Sequence, residues 1–189
     1  MIDLITEARR FQLFCRQMDW RFCFIGGLPV QHWGEPRLTR DVDVTVLAGF
    51  GGEQDFISSI LDLYEPRRPD AEEFALRNRV LLVRSGSGVS LDISLGALPF
   101  EEEMICRASN VEFLPGIELC ICSPEDLIVM KCFAGRPQDW QDVASVIVRQ
   151  GAENLDWKYI SSNIGPLAAV KEEPEIIERL ERLRRDQSQ

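Results

Sequence analysis

Residues 41–47, with the sequence DVDVTVL, constrain the fold more than any other segment of the chain. Their alternation predicts a β-strand with one buried face, because successive side chains of a strand point to opposite sides of the sheet. The valines then face the core, and Asp41 and Asp43 share the other face. Two carboxylates about 7 Å apart on a rigid strand repel each other unless a cation lies between them. The pattern therefore indicates a cation site.

A glycine pair, Gly26-Gly27, ends a strand that we predict over residues 21–25, shortly before the acidic pair. A glycine turn exposes backbone N–H groups, which can bind phosphate. A third aspartate, Asp92, lies on the polar face of another predicted strand, residues 89–95, whose other face is apolar. A phosphate turn beside three strand carboxylates indicates phosphoryl or nucleotidyl transfer with a divalent metal.

The order of the remaining segments predicts an α+β fold. Turns at residues 85–88 and 115–116 predict two tight hairpins, which favour a mixed sheet over a doubly wound one. Residues 123–126, Ser-Pro-Glu-Asp, are a strong signal for the start of a helix. We expect a mixed β-sheet of roughly four to five strands flanked by helices within residues 1–122. A helical C-terminal part, residues 123–189, packs on this core in our prediction.

Composition excludes several classes of protein. The 189 residues include 31 acidic and 21 basic ones, and the net charge of −10 argues against a general nucleic-acid binder. Arg37 and Arg40, beside the acidic pair, are the best candidates for a local basic patch. The six cysteines form no CxxC pair and the chain has one histidine, so we expect no zinc site, and several of the cysteines have apolar neighbours that predict buried, reduced thiols. The sequence has no signal-peptide pattern and no membrane-spanning run, so we expect a cytoplasmic protein.

Three motifs together resemble a known family. They are Ile25-Gly26-Gly27, the spacing W-G-x-x-R-x-T-x-D-x-D over residues 33–43, and Leu91-Asp92-Ile93. These motifs resemble the nucleotidyltransferase superfamily with the polymerase-β-like core. Within it the resemblance is closest to the AbiEii/AbiGii-type (MNT-like) nucleotidyltransferases, many of which are toxins of bacterial toxin–antitoxin pairs. A later stretch, residues 123–142, resembles the same group.

The resemblance implies a nucleotidyltransferase-like fold and a set of site residues. Two Mg²⁺ ions would be bound by Asp41, Asp43 and Asp92, and Asp92 would also act as the base for the acceptor hydroxyl. Lys131 would contact the triphosphate of an NTP substrate, with Asp139 or Asp142 orienting that lysine or the base and ribose. The full set of nucleotide-binding residues implied is Gly26, Gly27, Arg40, Lys131, Asp139 and Asp142.

One departure from the superfamily concerns the phosphate turn. The wider superfamily has Gly-Ser there, and Gly27 replaces the serine in this chain. The replacement removes a hydroxyl donor from the turn.

Several of these residues also have a purely structural explanation. Asp92 could be a solvated side chain opposite a core face. Lys131 could be a surface lysine of a helix that pairs with Glu125 or Asp126. Asp139 could be an acid that complements the dipole at a helix N-terminus.

The sequence therefore predicts a Mg²⁺-dependent transfer of NMP from an NTP to an acceptor hydroxyl. The sequence does not distinguish between three classes of acceptor: an RNA end, a protein, and a small molecule such as an aminoglycoside. A toxin role, with an antitoxin protein as partner, follows from the resemblance alone. The alternative function is that of a non-catalytic nucleotide-binding relative that acts through a protein partner, and the missing serine is its support.

Overall fold

The computed structural model describes residues 1–186, and residues 187–189, the end of the predicted helical part, lie outside the described residues. The α-helices of the described chain are α1 (Ile2–Gln17), α2 (Gly27–Trp33), α3 (Glu53–Leu61), α4 (Ala71–Asn78), α5 (Pro99–Arg107), α6 (Pro124–Ala134), α7 (Pro137–Gln150), α8 (Trp157–Lys171) and α9 (Glu175–Asp186). The strands are β1 (Phe22–Ile25), β2 (Asp41–Leu47), β3 (Glu65–Pro66), β4 (Val80–Arg84), β5 (Ser90–Gly96), β6 (Ser109–Leu114) and β7 (Ile117–Ile121). The predicted α+β class is confirmed.

The strands form one mixed sheet in the order β3-β4-β5-β2-β1-β7-β6. The pairs β1–β7 and β2–β5 are parallel, and the other pairs are antiparallel. Both predicted hairpins are present, as β4–β5 and β6–β7. The expected four to five strands were too few, because seven strands are present in the described residues. The strand β3 has only two residues, and so short a segment shows no alternation in the sequence.

Strand alternation separates a buried face of the sheet from a partly exposed one. The valines of β2 are fully buried, and so are the leucine and isoleucine at positions 91 and 93 of β5. Residues Asp41, Asp43 and Asp92, on the opposite face, are only partly buried. Burial of the apolar face supplies most of the driving force for this arrangement and leaves the acidic face accessible.

The chain divides into two compact units by its contacts. The first unit comprises residues 1–28 and 38–122 and contains the whole sheet. The second unit comprises residues 29–37 together with the chain from residue 123 onward. Residues 29–37 belong to the predicted N-terminal core, residues 1–122. None of the helices within residues 1–186 is both long and apolar enough to cross a membrane.

The second unit begins at the predicted helix start. The side chain of Ser123 accepts a hydrogen bond from the Asp126 backbone N–H at 3.1 Å, and Pro124 occupies the first helical position of α6. Gly135 ends the helix with a φ of +72°, a left-handed conformation that glycine adopts without strain. Local sequence therefore determines both ends of α6.

Candidate active site

Three carboxylates share the partly exposed face of two neighbouring strands. In the parallel pair β2–β5, Asp43 lies directly opposite Asp92, and Asp41 lies opposite Ser90. Neighbouring strands are about 4.8 Å apart, and aligned residues point to the same face. The structure thus brings Asp92 beside the Asp41–Asp43 pair.

The glycine turn lies directly against one of these carboxylates. Ile25, the last residue of β1, pairs with Asp43, so the turn at Gly26 and Gly27 follows immediately. Gly26 has a φ of +66°, and a Cβ atom placed on it would lie 2.0 Å from Oδ2 of Asp43. The backbone N–H of Gly27 donates a long hydrogen bond of 3.4 Å to the same oxygen. Glycine at position 26 is therefore required both by the backbone conformation and by the close approach of Asp43.

Position 27 is restricted by a different neighbour. A Cβ atom on Gly27 would lie 2.3 Å from Oγ1 and 2.8 Å from Cβ of Thr39. The Thr39 side chain therefore occupies the space that a side chain at position 27 would need. Thr39 is not among the predicted site residues, although it is part of the motif over residues 33–43 and lies two residues before Asp41.

Asp92 has a basic partner, Arg67, that is not among the predicted site residues. The guanidinium of Arg67 forms an ion pair with Oδ1 of Asp92. Arg67 follows β3, and its backbone N–H donates to the carbonyl of Leu82 at 3.0 Å. The Nε atom of Arg67 is buried and has no hydrogen-bond partner among the described residues. No sequence signal connects Arg67 to Asp92, since the contact depends on the pairing of β3 with β4.

The environment of Asp92 disfavours its charged form. Burial raises the pKa of the Asp92 carboxyl, and the nearby charge of Asp41 raises it further. The ion pair with Arg67 opposes both effects without cancelling them. A carboxylate with a raised pKa is a stronger proton acceptor than an ordinary aspartate, which suits a general base.

The donor chemistry of this face fits a hard divalent cation, because Mg²⁺ prefers carboxylate oxygens. Within residues 1–186, however, no three His, Cys, Asp or Glu side chains are oriented so that they could hold one metal ion together. The contacts of Asp43 with Gly27 and of Asp92 with Arg67 direct these carboxylates toward protein groups. The strand positions fit a shared metal site, and Asp92 would have to leave Arg67 to complete it.

The second unit contains a separate cluster of charged side chains. Nζ of Lys131 lies 2.9 Å from Oδ1 of Asp139 and 2.8 Å from Oδ2 of Asp142. The lysine side chain is only 7% exposed. The alternative prediction, a surface lysine paired with Glu125 or Asp126, is therefore wrong. Lys131 connects α6 with α7.

Two arginines complete this cluster. Arg37 binds Asp142 through two hydrogen bonds of 2.7 and 2.8 Å, and Arg136 binds Asp139 at 2.6 Å. Burial acts to raise the pKa of both carboxyls, but hydrogen bonds from Arg136 and Lys131 to Asp139, and from Arg37 and Lys131 to Asp142, outweigh it and lower both pKa values. Of the two arginines proposed as a basic patch, Arg37 thus binds Asp142.

A mixed sheet with aligned carboxylates beside a glycine turn is the arrangement that the resemblance to the nucleotidyltransferases implies. Comparison with known families agrees: a family model described as "Nucleotidyltransferase of unknown function (DUF6036)" matches residues 1–182. The chain belongs to this family. The closer resemblance to the AbiEii/AbiGii-type enzymes stays a prediction.

Solved structures share the fold at low sequence identity. A nucleotidyltransferase-like antigenic protein from Paracoccidioides brasiliensis is 14% identical, with a TM-score of 0.50, over 94% of this chain and 92% of that chain. The protein ANT(2")-Ia, solved in complex with adenylyl-2"-tobramycin, is also 14% identical, with a TM-score of 0.51, over 90% of this chain and 96% of that chain. No curated protein matches the sequence.

Proposed function

We propose that the protein transfers a nucleoside monophosphate from an NTP to an acceptor hydroxyl and releases pyrophosphate. The observation that carries this proposal is the alignment of Asp43 with Asp92 across β2–β5, beside the Gly26-Gly27 turn. Family membership supports the same reaction class.

The turn would bind the triphosphate. Backbone N–H groups at Gly26 and Gly27 are suitable donors for phosphate oxygens. The hydroxyl of Thr39, which fills the space beside Gly27, would supply the donor that the missing serine does not. Thr39 is partly exposed, and its hydroxyl donates a long hydrogen bond of 3.4 Å to the Asp41 carbonyl, which it would exchange for a phosphate oxygen.

Asp41, Asp43 and Asp92 would hold Mg²⁺, with two ions expected from the resemblance. The bound metal would neutralise charge on the reacting phosphates. Asp92 would accept the proton of the acceptor hydroxyl, whose oxygen forms a bond to the α-phosphorus while the bond to pyrophosphate breaks. For this role the Asp92 carboxylate must release Arg67 and contact the metal and the acceptor hydroxyl instead.

The charged cluster of the second unit would contribute to nucleotide binding. Three cations, Lys131, Arg37 and Arg136, face two carboxylates, Asp139 and Asp142, in this cluster. The resemblance implies that Lys131, Asp139 and Asp142 bind the nucleotide. Arg40 is exposed and could contact phosphate as well.

A transfer assay tests the proposal. The purified protein is incubated with α-labelled NTPs, Mg²⁺ and a cell extract, and the labelled species is identified. Asp41→Asn should reduce transfer about 100-fold or more, because a metal ligand is lost. Asp62→Asn removes the same charge at an exposed position outside the site and should keep full activity. Full activity in a correctly folded Asp41→Asn variant would refute the assignment.

The acceptor class and the toxin role are further hypotheses. An RNA end, a protein and a small hydroxylated molecule are the acceptors to compare, and the labelled product distinguishes them by size and by nuclease or protease sensitivity. A toxin role would require an antitoxin partner. A neighbouring reading frame whose product binds the protein and blocks the transfer would support it.

A second candidate function is nucleotide binding without turnover. The ion pair between Arg67 and Asp92 favours it, since an engaged Asp92 can act neither as metal ligand nor as base. Calorimetry combined with the transfer assay separates the two functions. Tight, Mg²⁺-dependent NTP binding without product in any extract would support binding alone.

A further inference from the structure

A row of paired residues crosses the partly exposed face of the sheet through the candidate active site. Ile25 of β1 pairs with Asp43 of β2, Asp43 with Asp92 of β5, and Asp92 with Leu82 of β4. Arg67 ends the row, since its backbone donates to the Leu82 carbonyl and its guanidinium contacts Asp92. The glycine turn that follows Ile25 and the side chain of Arg67 therefore lie on opposite sides of the carboxylates.

This order determines the side from which an acceptor can approach. In-line transfer needs the attacking hydroxyl and the leaving pyrophosphate on opposite sides of the reacting phosphorus. The Gly26-Gly27 turn would hold the leaving phosphates on the β1 side. The acceptor must then approach from the β4 side of Asp92, where the accessible side chains include Leu82, Arg84 and Arg67.

The β4 side is basic. Arg84 lies two residues after Leu82 on the same face of β4 and is exposed. Glu65 lies opposite Arg84 in the β3–β4 ladder, yet Arg84 forms no ion pair within residues 1–186. Arg67 has a buried Nε donor without a partner among the same residues. Arg84 therefore has donors available for an additional anion, and Arg67 has a partly exposed guanidinium whose terminal nitrogen contacts Asp92.

We propose that Arg67, Leu82 and Arg84 form an acceptor subsite for a molecule that carries a phosphate ester near its reactive hydroxyl. This proposal rests on the function proposed above. Planar guanidinium groups match phosphate oxygens in geometry and charge. When Asp92 joins the other carboxylates, the Arg67 donors that it occupied become available to the acceptor phosphate.

Two kinds of acceptor carry a phosphate ester near a reactive hydroxyl: a small phosphorylated sugar or nucleotide, and the 3′ end of an RNA. The net charge of −10 favours the small molecule, because a long RNA would be repelled. The transfer step itself is unchanged: the acceptor oxygen bonds to the α-phosphorus, pyrophosphate leaves, and Asp92 takes the proton.

The test compares three acceptors with labelled NTP and Mg²⁺: ribose 5-phosphate, a short oligoribonucleotide with a free 3′ hydroxyl, and tobramycin, which is cationic. The variants are Arg84→Gln and Arg67→Gln, and Arg77→Gln is the matched control, since it removes the same charge from an exposed site on α4. Equilibrium binding of each acceptor, in the presence of Mg²⁺ and a non-hydrolysable NTP, gives a readout that is independent of turnover.

We expect transfer to a phosphate-bearing acceptor, with ribose 5-phosphate preferred over the oligoribonucleotide. Arg84→Gln should raise the acceptor KM and Kd about tenfold and leave the KM for NTP unchanged, as expected for the loss of one charge-assisted hydrogen bond. Preferred transfer to tobramycin, or an unchanged acceptor KM and Kd in both Arg84→Gln and Arg67→Gln, would overturn the subsite while leaving the transferase function intact. A wild-type protein with neither Mg²⁺-dependent NTP binding nor transfer to any acceptor would overturn both proposals.

Discussion

A methyl group on Gly26 would lie 2.0 Å from Oδ2 of Asp43, so the Gly26-Gly27 turn and the acidic strand β2 are in close contact at this point. The close approach fixes the first residue of the turn relative to the carboxylates. Any side chain at position 26 must displace Asp43, so the proposed phosphate-binding turn and a proposed metal ligand depend on each other.

Gly26→Ala should therefore lower both stability and activity. The left-handed backbone conformation alone costs about 1–2 kcal/mol for a residue with a Cβ, and the overlap with Asp43 adds to this. Gly116→Ala is the control, because Gly116 also has a positive φ, +76°, but nothing lies within 4 Å of the added Cβ. Urea denaturation should show a larger loss for Gly26→Ala than for Gly116→Ala. Equal losses would mean that the contact with Asp43 has no energetic effect.

Thr39 and Gly27 should behave as a coupled pair. Thr39→Ala should weaken binding of Mg²⁺-NTP about tenfold through loss of a hydroxyl donor, and Thr39→Ser should retain it. Gly27→Ser should be impaired alone, since the serine overlaps Thr39. The double variant Gly27→Ser with Thr39→Ala should recover binding, a non-additive result that calorimetry can measure. Additive losses would show that the two positions do not share this space.

The charge of Asp92 should lower the free energy of unfolding of the metal-free protein. Its pKa is raised in the folded state, so above that pKa its charge destabilises the fold, and the effect disappears as the pH falls below the unfolded value of about 4. Asp92→Asn should therefore raise Tm at pH 7 without Mg²⁺. A lower Tm would mean that the ion pair with Arg67 outweighs the burial of Asp92.

Mg²⁺ should stabilise the wild-type protein through the same carboxylates. A ligand at 100 times its Kd contributes about 2.7 kcal/mol, and the corresponding rise in Tm should be lost in Asp92→Asn. Asp62→Asn, at an exposed position, should show the full effect of Mg²⁺. A Tm of the wild type that does not respond to Mg²⁺ would argue against a metal site on this face.

Lys131→Met should destabilise the second unit even before any effect on nucleotide binding. The substitution leaves Asp139 and Asp142 buried without one of their cations, and breaking such a pair costs about 3 kcal/mol or more. Lys158→Met removes the same charge from an exposed position of α8 and should be nearly neutral. If both variants unfold at the same urea concentration, the buried ion pairs contribute no net stability.

The second unit should also lose stability in acid. The pKa values of Asp139 and Asp142 are lowered, so their contribution is complete above the unfolded value of about 4 and is lost as the pH falls through the lower folded values. Arg37→Met removes two hydrogen bonds to Asp142 and should make the pH dependence shallower. Urea midpoints measured between pH 7 and pH 3 check this, with Arg182→Met, at an exposed position, as the control. An unchanged slope in Arg37→Met would contradict the assignment.

The acidic face was predictable because its determinants are local. The alternation over residues 41–47 specifies the strand and its faces, and the same pattern around Asp92 specifies the third carboxylate. The glycine turn and the start of α6 at Ser123 follow from residue types with strong conformational preferences.

The missed features depend on contacts between distant segments. The pairing of Arg67 with Asp92 requires the register of β3, β4 and β5, which a two-residue strand does not signal. The overlap of Thr39 with position 27 requires the path of the chain after α2. The burial of Lys131 depends on the packing of α6 against α7, whereas its sequence position fits an exposed lysine equally well.

The discontinuity of the second unit has a consequence for synthesis on the ribosome. The side chain of Gln150 donates to the Trp33 carbonyl at 2.8 Å, and that of Arg149 donates to the Gly34 carbonyl at 2.7 Å. Residues 29–37 can therefore form these contacts only after α7 has been synthesised. During synthesis the carbonyls of Trp33 and Gly34 lack these two donors until more than a hundred further residues have been made. A fragment that starts at residue 123 would lack this partner segment, and split versions of the protein should be designed so that residues 29–37 are supplied.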